Sequence, residues 1–86
     1  MLSSRSSLLD SVEAILAPEI GSSIARAAVS MYLEKVGISQ EQVEPRHMAG
    51  LAQTVKPGLR TFVGGVRADA LAARIAALGQ RAAARG

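Results

Sequence analysis

The chain has 86 residues, a net charge of +3 and no cysteine. This length allows one domain, and the lack of cysteine excludes disulfides and thiolate metal sites. Hydrophobic residues make up 49% of the chain, too many for a disordered protein, but only Tyr32 and Phe62 are aromatic. We expect a single helical domain over 1–86, with flexible ends at 1–6 and 85–86. Because small side chains bury little area in so short a chain, we also expect it to form a homo-oligomer or to bind another protein.

The N-terminal half predicts two helices with a break at a proline. Ser7, with Asp10 as a capping partner, begins the first helix, whose apolar face contains leucines, a valine and an isoleucine up to Leu16. Pro18 then interrupts the pattern, so we predict that a second helix begins near Pro18–Glu19. The charges at Asp10 and Glu13 argue against a signal peptide, and no apolar run is long enough to span a membrane. We therefore expect a cytoplasmic protein.

The second predicted helix carries two apolar stripes and ends at Gly37, a residue suited to the left-handed helix cap. Two apolar faces predict burial on two sides, which would make this the central helix of the bundle. One stripe contains Ile20, Ile24, Ala27, Ala28 and Met31. The other contains Ala25, Val29, Leu33 and Val36.

The stretch EKVGISQEQV, residues 34–43, has the sequence pattern of the turn in a DNA-binding helix-turn-helix. Ser39 and Gln42 form a predicted capping box after that turn. The two carboxylates that follow would be repelled by phosphates, and Pro45 would break a recognition helix. An ordinary helix corner with a short turn at 39–44 is therefore the favoured interpretation.

The C-terminal half predicts further helices and no strand, so the fold class is all-α, a small bundle of four to five short helices. We predict a helix from Pro45 to Lys56, a kink or end at Pro57–Gly58, a weak point at Gly64–Gly65, and a last Ala-rich helix to about residue 84. If 59–84 were one helix, small residues at spacings of three and four would leave one face nearly bare. That face contains Gly65, Ala68, Ala72, Ala76, Gly79 and Ala83.

A bare face next to apolar side chains predicts a contact with a partner helix. The predicted interface residues are Ile24, Met31, Leu71, Ala72, Ile75, Ala76 and Leu78. The alternative is that alanine serves only as a good helix former. Loosely filled helices also leave room for a small apolar ligand.

Charge divides unevenly, with three basic and six acidic residues in 1–45 but seven basic and one acidic in 46–86. Arginines recur every seven residues in the second half, at Arg60, Arg67, Arg74 and Arg81. They form a solvated face, pair with carboxylates within or between chains, or contact nucleic acid or an anionic membrane. The sequence lacks the interleaved aromatic residues that stack on bases, so nucleic acid is the alternative partner here, behind protein.

No catalytic pattern accompanies these features. His47 is the only histidine and cannot form a zinc site within one chain. Gly64–Gly65 before Arg67 is a minor candidate for anion binding. No hydrolase elbow, Walker loop or dinucleotide fingerprint occurs. We therefore predict no enzyme activity, no metal and no cofactor.

Residues 16–29, LAPEIGSSIARAAV, resemble the small helical module appended to bacterial roadblock-type proteins, serine/threonine kinases and response regulators. In that module a Gly-Pro-Ile-Ala-like turn leads into an apolar helix. Here the turn consists of Ala17, Pro18, Glu19 and Ile20, so it departs from that pattern on both sides of Pro18. The resemblance implies an interaction or oligomerisation module and names no partner.

Overall fold

The computed structural model of the protein describes residues 7–85, and over this range it is an all-α bundle without strands. The helices are α1 (Ser7–Ile20), α2 (Ser22–Val36), α3 (His47–Val63) and α4 (Gly65–Arg85), with one 3-10 turn at Gln40–Gln42. The predicted fold class is confirmed. The end segments predicted to be flexible, 1–6 and 86, lie outside the described residues, whereas residue 85 closes α4.

The boundary between α1 and α2 lies at Gly21 rather than at Pro18, so the prediction of a helix start near Pro18 was wrong. Pro18 lies within the last turn of α1, which forms without the hydrogen bond that the proline nitrogen cannot donate. Gly21 has φ +90°, a conformation that residues with side chains rarely adopt. Its N–H donates to the Ala17 carbonyl at 2.8 Å, which closes α1. Glu19 consequently lies at the end of α1 and not at the start of α2.

The corner after α2 forms as the sequence predicts. Gly37 is left-handed at φ 75°, and its N–H donates to the Leu33 carbonyl at 2.9 Å. The Ser39 N–H donates to Gln42 Oε1 at 2.8 Å, as a capping box requires. Only one 3-10 turn follows before His47 begins α3. A three-residue turn cannot extend into a DNA groove, so this corner has no recognition helix.

The break in the C-terminal half lies at the predicted weak point, at Gly64 with φ +86°, and not at Pro57–Gly58. α3 continues through Pro57 to Val63 and begins at His47 rather than Pro45. A continuous helix over 59–84 is therefore excluded. As a consequence, Arg60 lies on α3 while the other three arginines of the sevenfold series lie on α4.

The core is centred on the contact between α3 and α4, which is the most extensive helix pair, with α1 packed beside them. Its largest fully buried side chains from these three helices are Leu9, Leu16, Met48, Leu51, Leu59, Leu71 and Ile75. From α2 the core receives only one stripe, namely Ala25, Val29, Tyr32 and Leu33. The other stripe is exposed at Ile24, Ala27 and Met31, so the prediction that α2 is buried on two sides was wrong. α2 is a peripheral helix with an uncovered apolar face.

Small residues on α4 let it approach α3 closely. Ala68, Ala72 and Gly79 of the small-residue face are buried. A β-carbon on Gly79 would lie 2.4 Å from the Pro45 carbonyl oxygen and 2.8 Å from Met48 Cβ. The close helix approach predicted from this face is present, but it occurs within the chain.

Candidate functional site

An apolar groove of about 350 Å³ lies between α2 and α3. On one side it is lined by the end of α1 and the uncovered stripe of α2, namely Ile20, Ile24, Ala27, Ala28 and Met31. On the other side it is lined by the second half of α3, namely Thr54, Val55, Pro57, Gly58, Leu59 and Phe62. Thr54 is the only one of these residues with a polar side chain. The groove therefore has the chemistry of a site for apolar side chains.

Tyr32 on α2 contacts the start of α3. The Tyr32 hydroxyl donates to the His47 carbonyl at 3.1 Å. Gly50 leaves room for the ring, since a β-carbon there would lie 3.1 Å from the Tyr32 hydroxyl oxygen. Burial raises the pKa of Tyr32 above its ordinary value, because the phenolate would lose hydration. This contact holds α2 against the start of α3.

Beyond that contact, the two helices leave space because the residues facing each other are small. Ala27 and Ala28 on α2 and Gly58 on α3 line the groove, and nothing lies within 4 Å of a β-carbon built on Gly58. Larger side chains at these positions would fill the gap between the helices. The groove is thus a consequence of side-chain size along two neighbouring helices.

Exposed large hydrophobic side chains concentrate at this groove. Of the five in the described range, Ile24, Met31 and Phe62 line it, with 42%, 65% and 55% of their surface exposed. Val36 and Val66 are also exposed but do not line it. A contiguous exposed apolar surface of this kind marks an interaction site more often than isolated apolar residues do.

The structure divides the predicted interface in two. Ile24 and Met31 are exposed at the groove, whereas Leu71, Ala72 and Ile75 are buried, with exposures of 1%, 6% and 0%. Ala76 and Leu78 are partly buried and pack against the same core. The prediction of an interface at Leu71, Ala72 and Ile75 was therefore wrong, because these side chains already form the chain's own interior.

The α3 side of the groove was not predicted from the sequence. Phe62 was noted in the sequence only as one of two aromatic residues, and more than half of its surface is exposed. Pro57 and Gly58 were treated as a helix end, yet they line the groove from within α3. The available signal was the proximity in sequence of Phe62, one of only two aromatic residues, to a proline–glycine pair.

The predicted arginine stripe is divided by ion pairs and by the helix break. Arg67 binds Glu19 with two hydrogen bonds, one of them from Nε to Oε1 at 3.1 Å. Hydrogen bonding from Arg67, helped by the charges of Arg67 and Arg74, lowers the pKa of Glu19. On the other side of Gly64, Arg60 lies 4.0 Å from Asp69 Oδ1.

Two arginines of the series form no direct ion pair, although the charge of Arg74 still acts on Glu19. Arg74 and Arg81 are exposed on α4 and form no ion pair with any residue in the described range. They are seven residues apart, so they lie on similar sides of the helix. The acidic first half and the basic second half of the chain are thus joined by the pair of Glu19 with Arg67, and by the pair of Glu44 with Arg46.

His47 and Gly64, the minor candidates for binding a metal or an anion, form hydrogen bonds with backbone groups. His47 Nδ1 accepts a hydrogen bond from the Glu44 N–H at 2.9 Å, at the start of α3. The Gly64 N–H donates to the Arg60 carbonyl at 3.0 Å, so it is already used in closing α3. Over residues 7–85 no group of three histidine, aspartate or glutamate side chains comes together as metal ligands would. None of the helices in this range is long and apolar enough to cross a membrane.

Comparison with known proteins adds no relative to this description. No family model matches the chain, and no curated protein or solved structure is significantly similar to it. The resemblance of residues 16–29 to the bacterial signalling module therefore remains a prediction.

Proposed function

We propose that the protein is a small protein–protein interaction or oligomerisation module without catalytic activity, and that the groove between α2 and α3 is its contact surface. One observation carries this proposal: Ile24, Met31 and Phe62 are all largely exposed and line the same apolar groove. Leaving them in water is unfavourable by an amount that scales with their apolar area. A partner that covered them would recover this free energy.

The shape of the groove favours an amphipathic helix as the structure that fills it. Two helices with alanine and glycine between them allow a third helix to approach closely, as in helix-in-groove recognition. A volume of about 350 Å³ accommodates a few apolar side chains from such a helix. The same volume lies at the lower end of the range for small-molecule sites, so an apolar compound is the competing occupant.

The proposal is tested with the purified chain and a probe of defined chemistry. A labelled amphipathic peptide with leucines at positions i, i+3, i+4 and i+7 is titrated with the chain, and anisotropy is measured. Sedimentation equilibrium measures self-association of the chain in parallel. We expect association in at least one of these measurements, little changed by about 0.5 M salt, because the contact is apolar.

A matched pair of variants locates the contact surface. Met31→Glu places a charge in the groove, whereas Val66→Glu places the same charge at an exposed valine that does not line the groove. We expect the first to abolish association and the second to leave it intact. A chain that neither self-associates nor binds the peptide, or one equally affected by both variants, would refute the proposal.

A second candidate function is nucleic-acid binding, favoured by the two unpaired arginines Arg74 and Arg81 and by the net charge of +3. Phosphate contacts release counterions, so such binding weakens steeply with salt, in contrast to binding in the groove. A labelled oligonucleotide titrated at low and at about 0.5 M salt separates the two functions. Strong low-salt binding that the double variant Arg74→Gln/Arg81→Gln removes would support the nucleic-acid function.

The other predictions made from the sequence are part of the same proposal. The module resembled by residues 16–29 is an interaction or oligomerisation unit of bacterial signalling proteins, which agrees in kind with a groove-binding role. We propose a cytoplasmic location and function without a cofactor. A homo-oligomer and a separate protein partner both satisfy the proposal.

A further inference from the structure

We infer that α2 is a separately opening unit of the fold, which detaches from α1 and α3 and loses its helical structure while α1, α3 and α4 stay packed together. Local openings of this kind are drawn from the least buried elements of a protein. In the closed chain α2 covers one side of the apolar interior, so its opening controls access to that interior. The inference concerns a movement of the chain and does not rest on the proposed function.

The interior of the protein depends little on α2. Of the nine largest fully buried side chains in the described range, eight lie on α1, α3 and α4, and Val29 is the only one on α2. The other buried residues of α2 are Ala25, Tyr32 and Leu33, and the alanine among them buries little apolar area. An arrangement of α1, α3 and α4 without α2 therefore keeps most of the largest core side chains.

α1 is attached to the other two helices without help from α2. It packs directly against both α3 and α4. At the C-terminal end of α1, Glu19 accepts two hydrogen bonds from Arg67 on α4, one of them at 3.1 Å. This ion pair lies two residues before Gly21, at which α1 gives way to α2. We therefore expect the end of α1 to stay on α4 when the chain beyond Gly21 moves.

The polar contacts of α2 with its neighbours are few. Within the described range, its side chains form one hydrogen bond to another helix, in which the Tyr32 hydroxyl donates to the His47 carbonyl at 3.1 Å. They also form one ion pair with another helix, between Arg26 and Glu13 at 3.9 Å, and 76% of the arginine side chain is exposed. A pair of this kind contributes little to stability. Tyr32 therefore provides the main polar contact that keeps α2 closed.

Glycines with positive φ angles flank α2 on both sides, Gly21 at +90° and Gly37 at +75°. A β-carbon built on either glycine meets no packed atom within 4 Å. The chain can therefore change direction at both positions without displacing its neighbours. Once detached, a helix of 15 residues is marginal in water, so its backbone hydrogen bonds break as well.

Opening of α2 uncovers apolar side chains of α3 that the closed chain protects from water. Val55 and Leu59 line the groove beside α2 but are only 6% and 2% exposed. Because they face the space next to α2, its departure exposes them. The groove of the closed chain is thus one part of a larger apolar surface, and the position of α2 decides how much of that surface meets water.

Hydrogen exchange of the natural chain, followed by NMR for each residue, tests the inference. Relative to unstructured peptides, we expect amides in the middle of α2 to exchange at least about tenfold faster than those in the middle of α1, α3 and α4. We also expect urea to accelerate exchange less in α2, because a local opening exposes less surface than global unfolding. Equal protection and equal urea dependence in all four helices would overturn the inference.

A substitution outside α2 distinguishes local opening from global unfolding. Ile75→Val removes one buried methylene from α4, which is packed whether α2 is open or closed. It should accelerate exchange of the slowest amides of α3 and α4 about two- to tenfold and leave exchange in α2 unchanged. An equal acceleration in α2 would show that α2 opens only with the whole chain, contrary to the inference.

Tyr32→Phe is the matching substitution within α2. It removes a hydrogen bond that exists only while α2 is closed. Both the local opening and global unfolding start from the closed chain, so this variant should accelerate exchange in α2 and in the slowest amides by the same factor, about two- to tenfold. Acceleration of the slowest amides without any change in α2 would contradict the assignment of Tyr32 as the contact that keeps α2 closed.

Thiol labelling supplies an independent measurement, because the natural chain has no cysteine. Val29→Cys on α2 and Val12→Cys on α1 are a matched pair, since both valines are buried, at 1% and 0% exposed. With a thiol reagent in excess, we expect Val29→Cys to react at least about tenfold faster than Val12→Cys. Circular dichroism confirms that each variant is folded. Equal rates would mean that α1 opens together with α2 and would overturn the inference.

Discussion

Gly79 on α4 packs directly against Met48 on α3 and against the Pro45 carbonyl oxygen before it. A β-carbon at position 79 would come within 2.8 Å of Met48 Cβ and 2.4 Å of that oxygen. The second distance is to backbone, which cannot turn aside as a flexible side chain would. The lack of a β-carbon at position 79 is therefore what allows α4 to lie against the start of α3.

Gly79→Ala should destabilise the protein by about 1–3 kcal/mol, the usual cost of overpacking, although alanine is the better helix former. Gly58→Ala is the matched control within α3, because its added β-carbon meets nothing within 4 Å. That variant should be neutral or stabilising by up to about 1 kcal/mol. Urea unfolding followed by circular dichroism measures both. Equal effects of the two substitutions would contradict the packing described here.

The buried small-residue face of α4 is tested by adding bulk at adjacent positions. Ala72 is 6% exposed, whereas its neighbour Ala73 points to solvent. Ala72→Leu should cost about 1–3 kcal/mol of stability in the isolated chain, and Ala73→Leu should lie within about 0.5 kcal/mol of the natural protein. Thermal unfolding at low protein concentration separates these effects from any change in association. A silent Ala72→Leu would mean that this face is not packed inside the chain.

The ion pair between Glu19 and Arg67 predicts a contribution to stability that depends on pH. The pKa of Glu19 is lowered from 4.5 in the folded chain, so its ionised form is favoured by folding. The contribution is present above pH 4.5 and is lost as the pH falls through the lowered value. Urea unfolding from neutral to acidic pH should show a smaller loss of stability in Glu19→Gln than in the natural chain. Glu44→Gln, at an exposed pair with its near neighbour Arg46, serves as the control.

Arg67→Lys probes the geometry of the same pair. It keeps the positive charge but removes the planar fork that donates two hydrogen bonds to the carboxylate. We expect the pKa of Glu19, followed by NMR, to rise toward its ordinary value in this variant. An unchanged pKa would show that charge alone, without the paired hydrogen bonds, lowers it.

The buried side chain of Tyr32 predicts that the stability of the protein also depends on pH in the alkaline range. Burial raises the pKa of Tyr32 above 10.0, so the contribution of the neutral tyrosine to stability is fully present below that pH. This contribution is lost as the pH rises through the pKa of Tyr32 in the folded chain. Tyr32 is the only tyrosine, so the ultraviolet absorbance of phenolate reports it alone. The titration midpoint should lie above 10.0 in the folded chain and fall to about 10 in denaturant.

The Tyr32→Phe variant isolates the hydroxyl. It removes the hydrogen bond to the His47 carbonyl and should cost about 0.5–1.5 kcal/mol at neutral pH. It should also lose the part of the alkaline instability that arises from tyrosine ionisation. A variant as sensitive to alkali as the natural chain would assign that instability to another group.

The sequence determined the features that depend on neighbouring residues. The all-α class follows from helical spacing, and the corner at Gly37 follows from a glycine cap and the Ser39–Gln42 capping box. Helix boundaries at prolines were less well determined, because Pro18 and Pro57 are accommodated inside helices. The actual breaks occur at Gly21 and Gly64, which adopt positive φ angles.

Only the tertiary structure decided which apolar faces meet each other and which stay in water. α4 offered a small-residue face and α2 offered two apolar stripes, and periodicity alone gives no reason to bury one rather than another. The chain covers the α4 face with α3, because Gly79 permits close contact, and leaves one stripe of α2 beside the groove. An apolar stripe can be recognised from the sequence of one helix. Whether that stripe is buried depends on contacts with helices that are distant in sequence, so the groove could be identified only in the folded chain.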